Sequence, residues 1–356
     1  MASWIRPTKV VAHKRIEIDR KVYFVSDLHM GDGTRSDSFL GKDREFMGFL
    51  ARAREEGALL VVAGDAIDFH QAWSMSRVLR AHAKVIGELA RMADQTGVIY
   101  LWGNHDHDIS LYKELFRFEV LESLEIGSQV LVQHGHQYDP YIGPLLEQSH
   151  ALTRVHHLVE RALGTWLRLP LQNFYNLPNR ATFWLFQRVM QLAEAVTIVL
   201  ERAGIDTPRR NLRASSRYWA QCELGDSQCI FDGVQSALQT GDHRWLVTGH
   251  SHLPGVVQVA PDRWYTNTGS WTFNSSQYAM WDGSEMIVAD WISGRRYTDG
   301  NYLSLLDRSI QHLDLSDWWR DNYLGWLRFR VGEEQRRRGP EQRDSRPGVV
   351  SDRPAA

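Results

Sequence analysis

The first half of the chain alternates short apolar runs with longer segments of helical periodicity, and this rhythm constrains the fold more than any other feature. Residues 22–26, 59–63 and 98–102 are rich in β-branched and aromatic side chains, which is typical of buried strands. Residues 45–56 and 76–94 lie between these runs and place apolar side chains at helical spacing. Strands that alternate with helices form βαβ units, so we predict an α/β fold with a buried parallel sheet flanked by helices.

The pattern changes after a fourth predicted strand at residues 130–133. Residues 138–226 read as helices interrupted by prolines, with no convincing strand. Five more strands are then predicted, at residues 245–248, 256–259, 264–266, 278–281 and 286–291. We therefore predict a core domain, residues 1–137 and 227–304, which is interrupted by a helical cap insertion at 138–226 and completed by a largely antiparallel half.

The C-terminal part divides into two further segments. Residues 305–332 read as a helical segment that carries three tryptophans beside arginines. We expect this segment to dock on the core or on a second subunit, and the alternative is a contact with a membrane interface. Residues 333–356 are rich in charged residues and proline and poor in apolar ones, so we predict a disordered tail.

Composition limits the setting and the partners of this chain. The formal net charge is -2 over 356 residues, so no nucleic acid is expected as a partner. Two cysteines, Cys222 and Cys229, do not make a disulfide framework and fit a reducing compartment. The sequence contains no secretory h-region and no apolar run that approaches the ~20 residues needed to span a bilayer. We therefore expect a cytoplasmic protein, with attachment to a membrane surface left open.

Polar segments follow five of the predicted strands. They are Asp27-Leu28-His29, Gly64-Asp65-Ala66-Ile67-Asp68, Gly103-Asn104-His105-Asp106, His134-Gly135-His136 and Gly249-His250-Ser251-His252. Loops at the carboxyl ends of strands in an α/β sheet gather at one edge, so we expect these carboxylate, imidazole and amide groups to meet. Such mixed nitrogen and oxygen ligands suit Mn, Fe or Zn, and the absence of thiolates argues against a structural zinc site.

Each segment alone also fits a simpler interpretation. A Gly-Asp pair after a strand is commonly a turn, and the Asn104 segment fits the N-cap of a helix. The turn at Asn267-Thr268-Gly269-Ser270 fits both a structural turn and a place beside the site. The joint occurrence of the five segments in this order, each after an apolar strand, is hard to attribute to chance. Two divalent ions in such a site would clamp the attacking and leaving oxygens of a displacement.

The order of these segments resembles the calcineurin-like metallophosphoesterase superfamily, whose fold is a β-sandwich flanked by helices. The resemblance covers roughly residues 22–137 and 245–291, and it leaves out the insertion and the tail. It implies a metal-dependent phosphoric ester hydrolase with seven metal ligands. These are Asp27, His29 and His252 for the first ion, Asn104, His134 and His250 for the second, and Asp65 as a bridge between the two.

The resemblance also implies how a phosphate ester or pyrophosphate would be hydrolysed. A hydroxide held between the ions would attack phosphorus, His105 would protonate the leaving oxygen or stabilise the transition state, and Asp68 would orient His105. The chemistry of these side chains supports the roles of His105 and Asp68, because an imidazole is the natural acid near neutral pH and an adjacent carboxylate fixes its tautomer. For His136 we expect a place behind His134, and the alternative is that it lines the site.

The insertion at 138–226 is the segment that would select the substrate. It contains ten arginines and no lysine, together with large apolar side chains such as Trp184. This composition fits either a self-packed helical subdomain or a cap for a phosphorylated small molecule or an amphiphile. The cap resembles that of the UDP-2,3-diacylglucosamine pyrophosphatases, which gives an alternative function, although those enzymes typically carry arginine at the position of His105. A catalytically silent metal-binding scaffold is the non-enzymatic alternative, and the complete set of ligand positions argues against it.

Overall fold

The computed structural model describes residues 11–33, 37–72, 74–112, 118–140, 188, 192–193, 195–212, 227–272 and 275–311. Most of the insertion predicted at 138–226, most of the segment at 305–332 and the whole tail at 333–356 therefore lie outside the described residues. Within the described ranges, no helix is long and apolar enough to cross a membrane.

A mainly parallel sheet forms the first half of the core, as the alternation of strands and helices predicted, and its last strand runs antiparallel to the strand before it. Its elements are β1 (Val11–Ile16), β2 (Val22–Val25), α1 (Asp43–Glu55), β3 (Leu59–Ala63), α2 (Phe69–Ala72), α3 (Met75–Gln95), β4 (Val98–Leu101), β5 (Glu119–Ile126) and β6 (Val130–Gln133). Short 3-10 helices span His107–Tyr112 and His136–Tyr138. β2, β3, β4 and β5 pair in parallel in that order, and β1 joins β5 in parallel.

The second half contains every strand predicted for it, and its pairing is largely antiparallel, as predicted, apart from the parallel pairs made by its first strand. Its elements are α4 (Ser227–Thr240), β7 (Trp245–Thr248), β8 (Gly255–Ala260), β9 (Arg263–Asn267), β10 (Gln277–Trp281), β11 (Met286–Asp290), β12 (Arg296–Tyr297) and α5 (Asp299–Gln311). β7 lies between β6 and β9 and pairs in parallel with both. β10 adds to the first half, antiparallel to β2, and β11 and β12 continue from it.

The sheet folds back on itself to form a sandwich. β11 packs against β8 and β9, which lie near the opposite end of the strand order. Phe24, Val61, Val130 and Val247 belong to a buried apolar cluster that joins strands of the two halves. Helices α1 and α3 bury a second cluster against the first half, and α4 and α5 bury a third against the other half. This is the α/β sandwich flanked by helices that the sequence predicts.

Candidate metal centre

Backbone pairing continues past the ends of β2 and β3 and brings the first predicted ligands together. The Asp27 amide donates to the Gly64 carbonyl at 3.0 Å, and the His29 amide donates to the Asp65 carbonyl at 2.9 Å. The Met30 amide extends the pairing to Ala66 at 2.9 Å. These hydrogen bonds fix the two loops side by side, so their carboxylates and imidazole face a common space.

Five predicted ligands occupy a backbone conformation that residues with a side chain seldom adopt. Asp27, His29, Asp65, His250 and His252 have φ values between 49° and 65°. In the described part of the chain, the one other non-glycine residue with positive φ is Asp262. Each such residue costs of order 1–3 kcal/mol, and strain of this kind clusters at functional sites. The strain falls on the polar segments that follow the strands, where it sets the direction of their side chains.

The structure brings six of the seven predicted ligands, together with His105, into three overlapping groups, and within each group the ligand atoms lie within 4.8 Å of one another. The groups are Asp27, His29 and His252; His29, Asp65 and His105; and Asp65, His134 and His250. Asp65 belongs to two of these groups, and His29 links Asp65 to Asp27. The result is two adjacent clusters with one carboxylate between them.

The first cluster centres on Asp27, which is fully buried. Its Oδ1 atom lies 3.1 Å from His252 Nε2 and 3.8 Å from His29 Nε2, and its Oδ2 atom accepts the His250 amide at 2.9 Å. Burial alone would raise the pKa of Asp27, but the neighbouring His252 and His29 hold it well below its usual value. Asp27 is therefore a carboxylate at neutral pH, and its Oδ1 atom faces two imidazoles.

The second cluster centres on His134. Its Nε2 atom lies 3.1 Å from Asp65 Oδ2 and 3.2 Å from Asn104 Oδ1. Its Nδ1 atom donates to the Ala63 carbonyl at 2.8 Å, which leaves Nε2 as the nitrogen that faces the other two groups. Burial would lower the pKa of His134, but the charge of Asp65 outweighs it and raises the pKa to about 9.

The donor set fits divalent metal ions. Asp27 and Asp65 are buried, and among the described residues their ion pairs are with histidines, whose charge depends on a proton. Buried carboxylates almost always pair with a positive charge. Carboxylate oxygens and imidazole nitrogens are also suitable ligands for first-row divalent metal ions. A metal ion could replace the proton on His134 Nε2 and neutralise the carboxylates. The roles of the seven residues as ligands stay predictions.

His105 lies at the open side of the two clusters. Its Nδ1 atom is 3.2 Å from Asp68 Oδ1, and its side chain is 24% exposed, whereas that of Asp68 is 1% exposed. The His105 amide donates to Asp65 Oδ1 at 2.8 Å, and its ring stands edge-on to His29. The partly exposed imidazole of His105 thus lies beside the groups that would hold the metal, and its contact with Asp68 positions it there.

Glycines in three of the motifs leave room for these side chains. A Cβ atom on Gly64 would overlap His134, one on Gly103 would overlap Asp65, and one on Gly249 would overlap Asp27, each closer than 3.0 Å. Of the three, Gly64 alone has a positive φ, at 93°. The glycines at 103 and 249 are therefore required by close packing against the site.

Two buried aspartates without a predicted role also belong to this region. Asp106 accepts the Tyr100 hydroxyl, the Gly103 amide at 2.6 Å and the Ala66 amide at 2.8 Å, and so joins the loops after β3 and β4. Burial and the charge of Asp65 raise the pKa of Asp106 to about 6. Asp139 lies 2.9 Å from His250 Nε2. Asp106 is the last residue of the motif that begins at Gly103, whereas nothing in the spacing of Asp139 indicates its contact.

The remaining predicted groups lie around the clusters. His136 is buried between Trp102 and His134, with ring centroids 5.4 Å from each, and burial lowers its pKa to about 2. It belongs to none of the three ligand groups. The Asn267 side chain donates to the Gly249 carbonyl at 2.6 Å, so the turn that follows β9 supports the loop of His250.

The sequence matches the calcineurin-like phosphoesterase family over residues 20–254, about two thirds of the chain. The chain therefore belongs to this family and is a metal-dependent phosphoester hydrolase. The family match and the ligand clusters agree on the coarse chemistry, because both indicate a phosphoester hydrolase that uses divalent metal.

The solved structures that the chain matches include two phosphatases. The cold-active protein-tyrosine phosphatase of a psychrophilic Shewanella sp. is 13% identical, with 82% of this chain and 83% of that chain covered and a TM-score of 0.36. A dimetal phosphatase from Danio rerio is 12% identical, with 79% of this chain and 99% of that chain covered and a TM-score of 0.36. No curated protein matches the sequence.

Proposed function

We propose that the chain hydrolyses a phosphate ester or pyrophosphate at two divalent metal ions, held by the seven predicted ligands. The observation that carries this proposal is the position of Asp65, which lies in one ligand group with His29 and in another with His134 and His250. Its two oxygens face in different directions, since Oδ1 accepts the His105 amide and Oδ2 faces His134. A single carboxylate in this position suits a bridge between two ions.

The metal ions and the residues beside them would have different roles in hydrolysis. When bound, Mn, Fe or Zn ions would supply a hydroxide nucleophile held between them and neutralise charge on the phosphoryl oxygens. Asp68 accepts a hydrogen bond from His105 Nδ1, which directs Nε2 of this ring away from the carboxylate. From that position His105 gives a proton to the leaving oxygen as the bond to phosphorus breaks.

The insertion at 138–226 is proposed to form a cap that selects the substrate. Its first residues lie beside the centre, because Asp139 contacts His250, and Tyr138 packs against Gly233 in α4, the helix that follows the insertion. A segment that leaves the core beside His250 is well placed to cover the centre. We propose a phosphorylated small molecule or an amphiphile as its ligand, and an acylated nucleotide sugar is the specific alternative.

A metal-supplemented activity panel tests the proposed function. Purified protein is stripped of metal, reloaded with Mn²⁺, Zn²⁺ or Fe²⁺, and assayed on a phosphomonoester, a phosphodiester, a nucleotide diphosphate sugar and its acylated form. We expect turnover that depends on metal, with two ions per chain by elemental analysis. Hydrolysis without bound metal would contradict the proposal, and two bound ions without turnover of any substrate would favour the scaffold alternative.

A further inference from the structure

The carboxylate of Asp139 meets the imidazole of His250 in the interior of the protein. The Asp139 side chain is fully buried, that of His250 is 6% exposed, and Asp139 Oδ2 lies 2.9 Å from His250 Nε2. A carboxylate accepts hydrogen bonds and does not donate them, so the proton of this contact belongs to Nε2. The nitrogen of His250 that keeps a free lone pair is then Nδ1.

We propose that Asp139 is a positioning residue that holds His250 in the tautomer with its proton on Nε2, so that Nδ1 is the atom offered to the second metal ion. This inference rests on the two-metal function proposed above. Metal-binding histidines commonly donate their second ring nitrogen to a carboxylate or a carbonyl, which fixes the ring and makes the ligating nitrogen more basic.

His134 supplies an internal comparison, because it is held in the opposite way. Its Nδ1 atom donates to the Ala63 carbonyl at 2.8 Å, so its Nε2 atom is the one that faces Asp65. The two imidazoles of one cluster would therefore offer different nitrogens, each selected by its own acceptor. A carboxylate is the stronger acceptor of the two, since hydrogen bonds to charged groups are about twice as strong as neutral ones.

The backbone around both residues leaves little freedom in this contact. Asp139 follows the short helix His136–Tyr138, and its amide donates to the His136 carbonyl at 3.1 Å. The Tyr138 hydroxyl donates to Gln133 Oε1 at 2.7 Å. On the other side, the His250 amide donates to Asp27 Oδ2 at 2.9 Å. Since each partner is anchored separately, the pair presents one orientation of the imidazole.

The first test observes the tautomer itself in metal-free protein. Nitrogen-15 spectra of histidine-labelled wild type would be compared with those of His250→Gln, which identifies the His250 signals. We expect a protonated Nε2 and an unprotonated Nδ1 for His250, and a mixture of tautomers in Asp139→Ala. A wild-type His250 ring that carries its proton on Nδ1 overturns the inference, whether or not Asp139→Ala folds.

The second test measures metal affinity by calorimetric titration with Mn²⁺. Asp139→Ala should weaken the second ion by ~10–100-fold, the usual effect of removing such a partner, and leave the first ion unchanged. Asp139→Asn should fall between, because its amide oxygen still accepts a hydrogen bond but carries no charge. Asp37→Asn is the matched control, since Asp37 Oδ2 makes an equivalent buried contact of 2.7 Å with His82 outside the ligand groups.

The outcomes separate this inference from the proposed function. Unchanged affinity for both ions in Asp139→Ala overturns the positioning role and leaves the proposed function standing. Wild-type protein that binds no Mn²⁺, Zn²⁺ or Fe²⁺ overturns the proposed function and, with it, the role of Asp139 in metal binding. A loss of second-ion affinity in Asp37→Asn as large as that in Asp139→Ala would also overturn the inference, because the effect would then be one of general stability.

Discussion

His105 Nδ1 lies 3.2 Å from Asp68 Oδ1, and this contact joins the loop after β4 to the loop after β3 at the open side of the metal centre. The Asp68 carboxylate is buried and the His105 imidazole is partly exposed, so the imidazole is the member of the pair that a substrate could reach. This arrangement agrees with His105 as an acid that protonates the leaving group and with Asp68 as the carboxylate that orients His105.

Replacing His105 should slow the chemical step and spare metal binding. We expect His105→Ala to lower kcat by ~10²–10⁴, the range for a positioned acid or base, with unchanged metal content. The loss should be smaller for nitrophenyl esters, because a good leaving group needs little protonation. Steady-state kinetics on a series of leaving groups would check this. An equal loss across the series would mean that His105 orients the phosphate instead.

Replacing Asp65 should remove the second ion and abolish turnover. Asp65→Asn keeps an oxygen that can accept the His105 amide but removes the charge shared between the two clusters. The fold should persist, because the substitution changes neither the size of the side chain nor this hydrogen bond. Elemental analysis and circular dichroism would measure metal content and folding. A variant that retains two ions and full turnover would rule out the bridging role.

The sequence predicted the central strands and the ligand-bearing loops because both leave strong local signals. β2, β3 and β4 are short buried runs of apolar residues, and each is followed by a polar segment that cannot belong to a buried strand. β1 and β5 escaped prediction because their stability comes from pairing across the sheet. Lys14 contacts Glu119 at 2.5 Å and Arg15 pairs with Glu125, so charged residues occupy strands that lack a clean apolar alternation.

The buried aspartates of the site were missed for a different reason. Asp106 and Asp139 have no repeating pattern around them. The Ala66 amide that Asp106 accepts lies 40 residues away in the chain, and the His250 imidazole that Asp139 contacts lies 111 residues away. Their contacts exist only once the loops have been brought together. The sequence could therefore indicate which groups approach the metal, but not which neighbours hold those groups in place.

A buried histidine away from the metal ligands should make stability depend on pH. His82 lies 2.7 Å from Asp37 and 2.8 Å from Asp43. Burial lowers its pKa, but the two carboxylates outweigh this and raise it from 6.5 to about 9. A raised pKa means that the stabilisation is complete below pH 6.5 and is lost as the pH rises through 9, by an amount on the order of 3 kcal/mol.

Urea unfolding at several pH values would test this expectation. Wild type should lose stability between pH 6.5 and 9, the interval set by the shift in pKa. His82→Leu should be less stable at low pH and should show a shallower dependence over the same interval, and the difference between the two proteins isolates His82 from the titrating groups of the metal centre. Parallel curves for wild type and variant would refute the assignment.

A single methyl group at position 249 should disturb the first cluster from within. A Cβ atom on Gly249 would overlap both Ser26 Oγ and Asp27 Oδ2. Gly249→Ala is therefore expected to displace Asp27, weaken binding of the first ion and cost ~1–3 kcal/mol of stability, as overpacking usually does. Gly87→Ala is the matched control, because Gly87 lies within α3 with nothing within 4 Å of an added Cβ. This control should stabilise the helix by ~0.5–1 kcal/mol and leave metal binding unchanged.

Thermal melts and Mn²⁺ titrations would be measured for both variants. If Gly249→Ala bound both ions as tightly as wild type, the packing of Gly249 would not be what holds Asp27 in place.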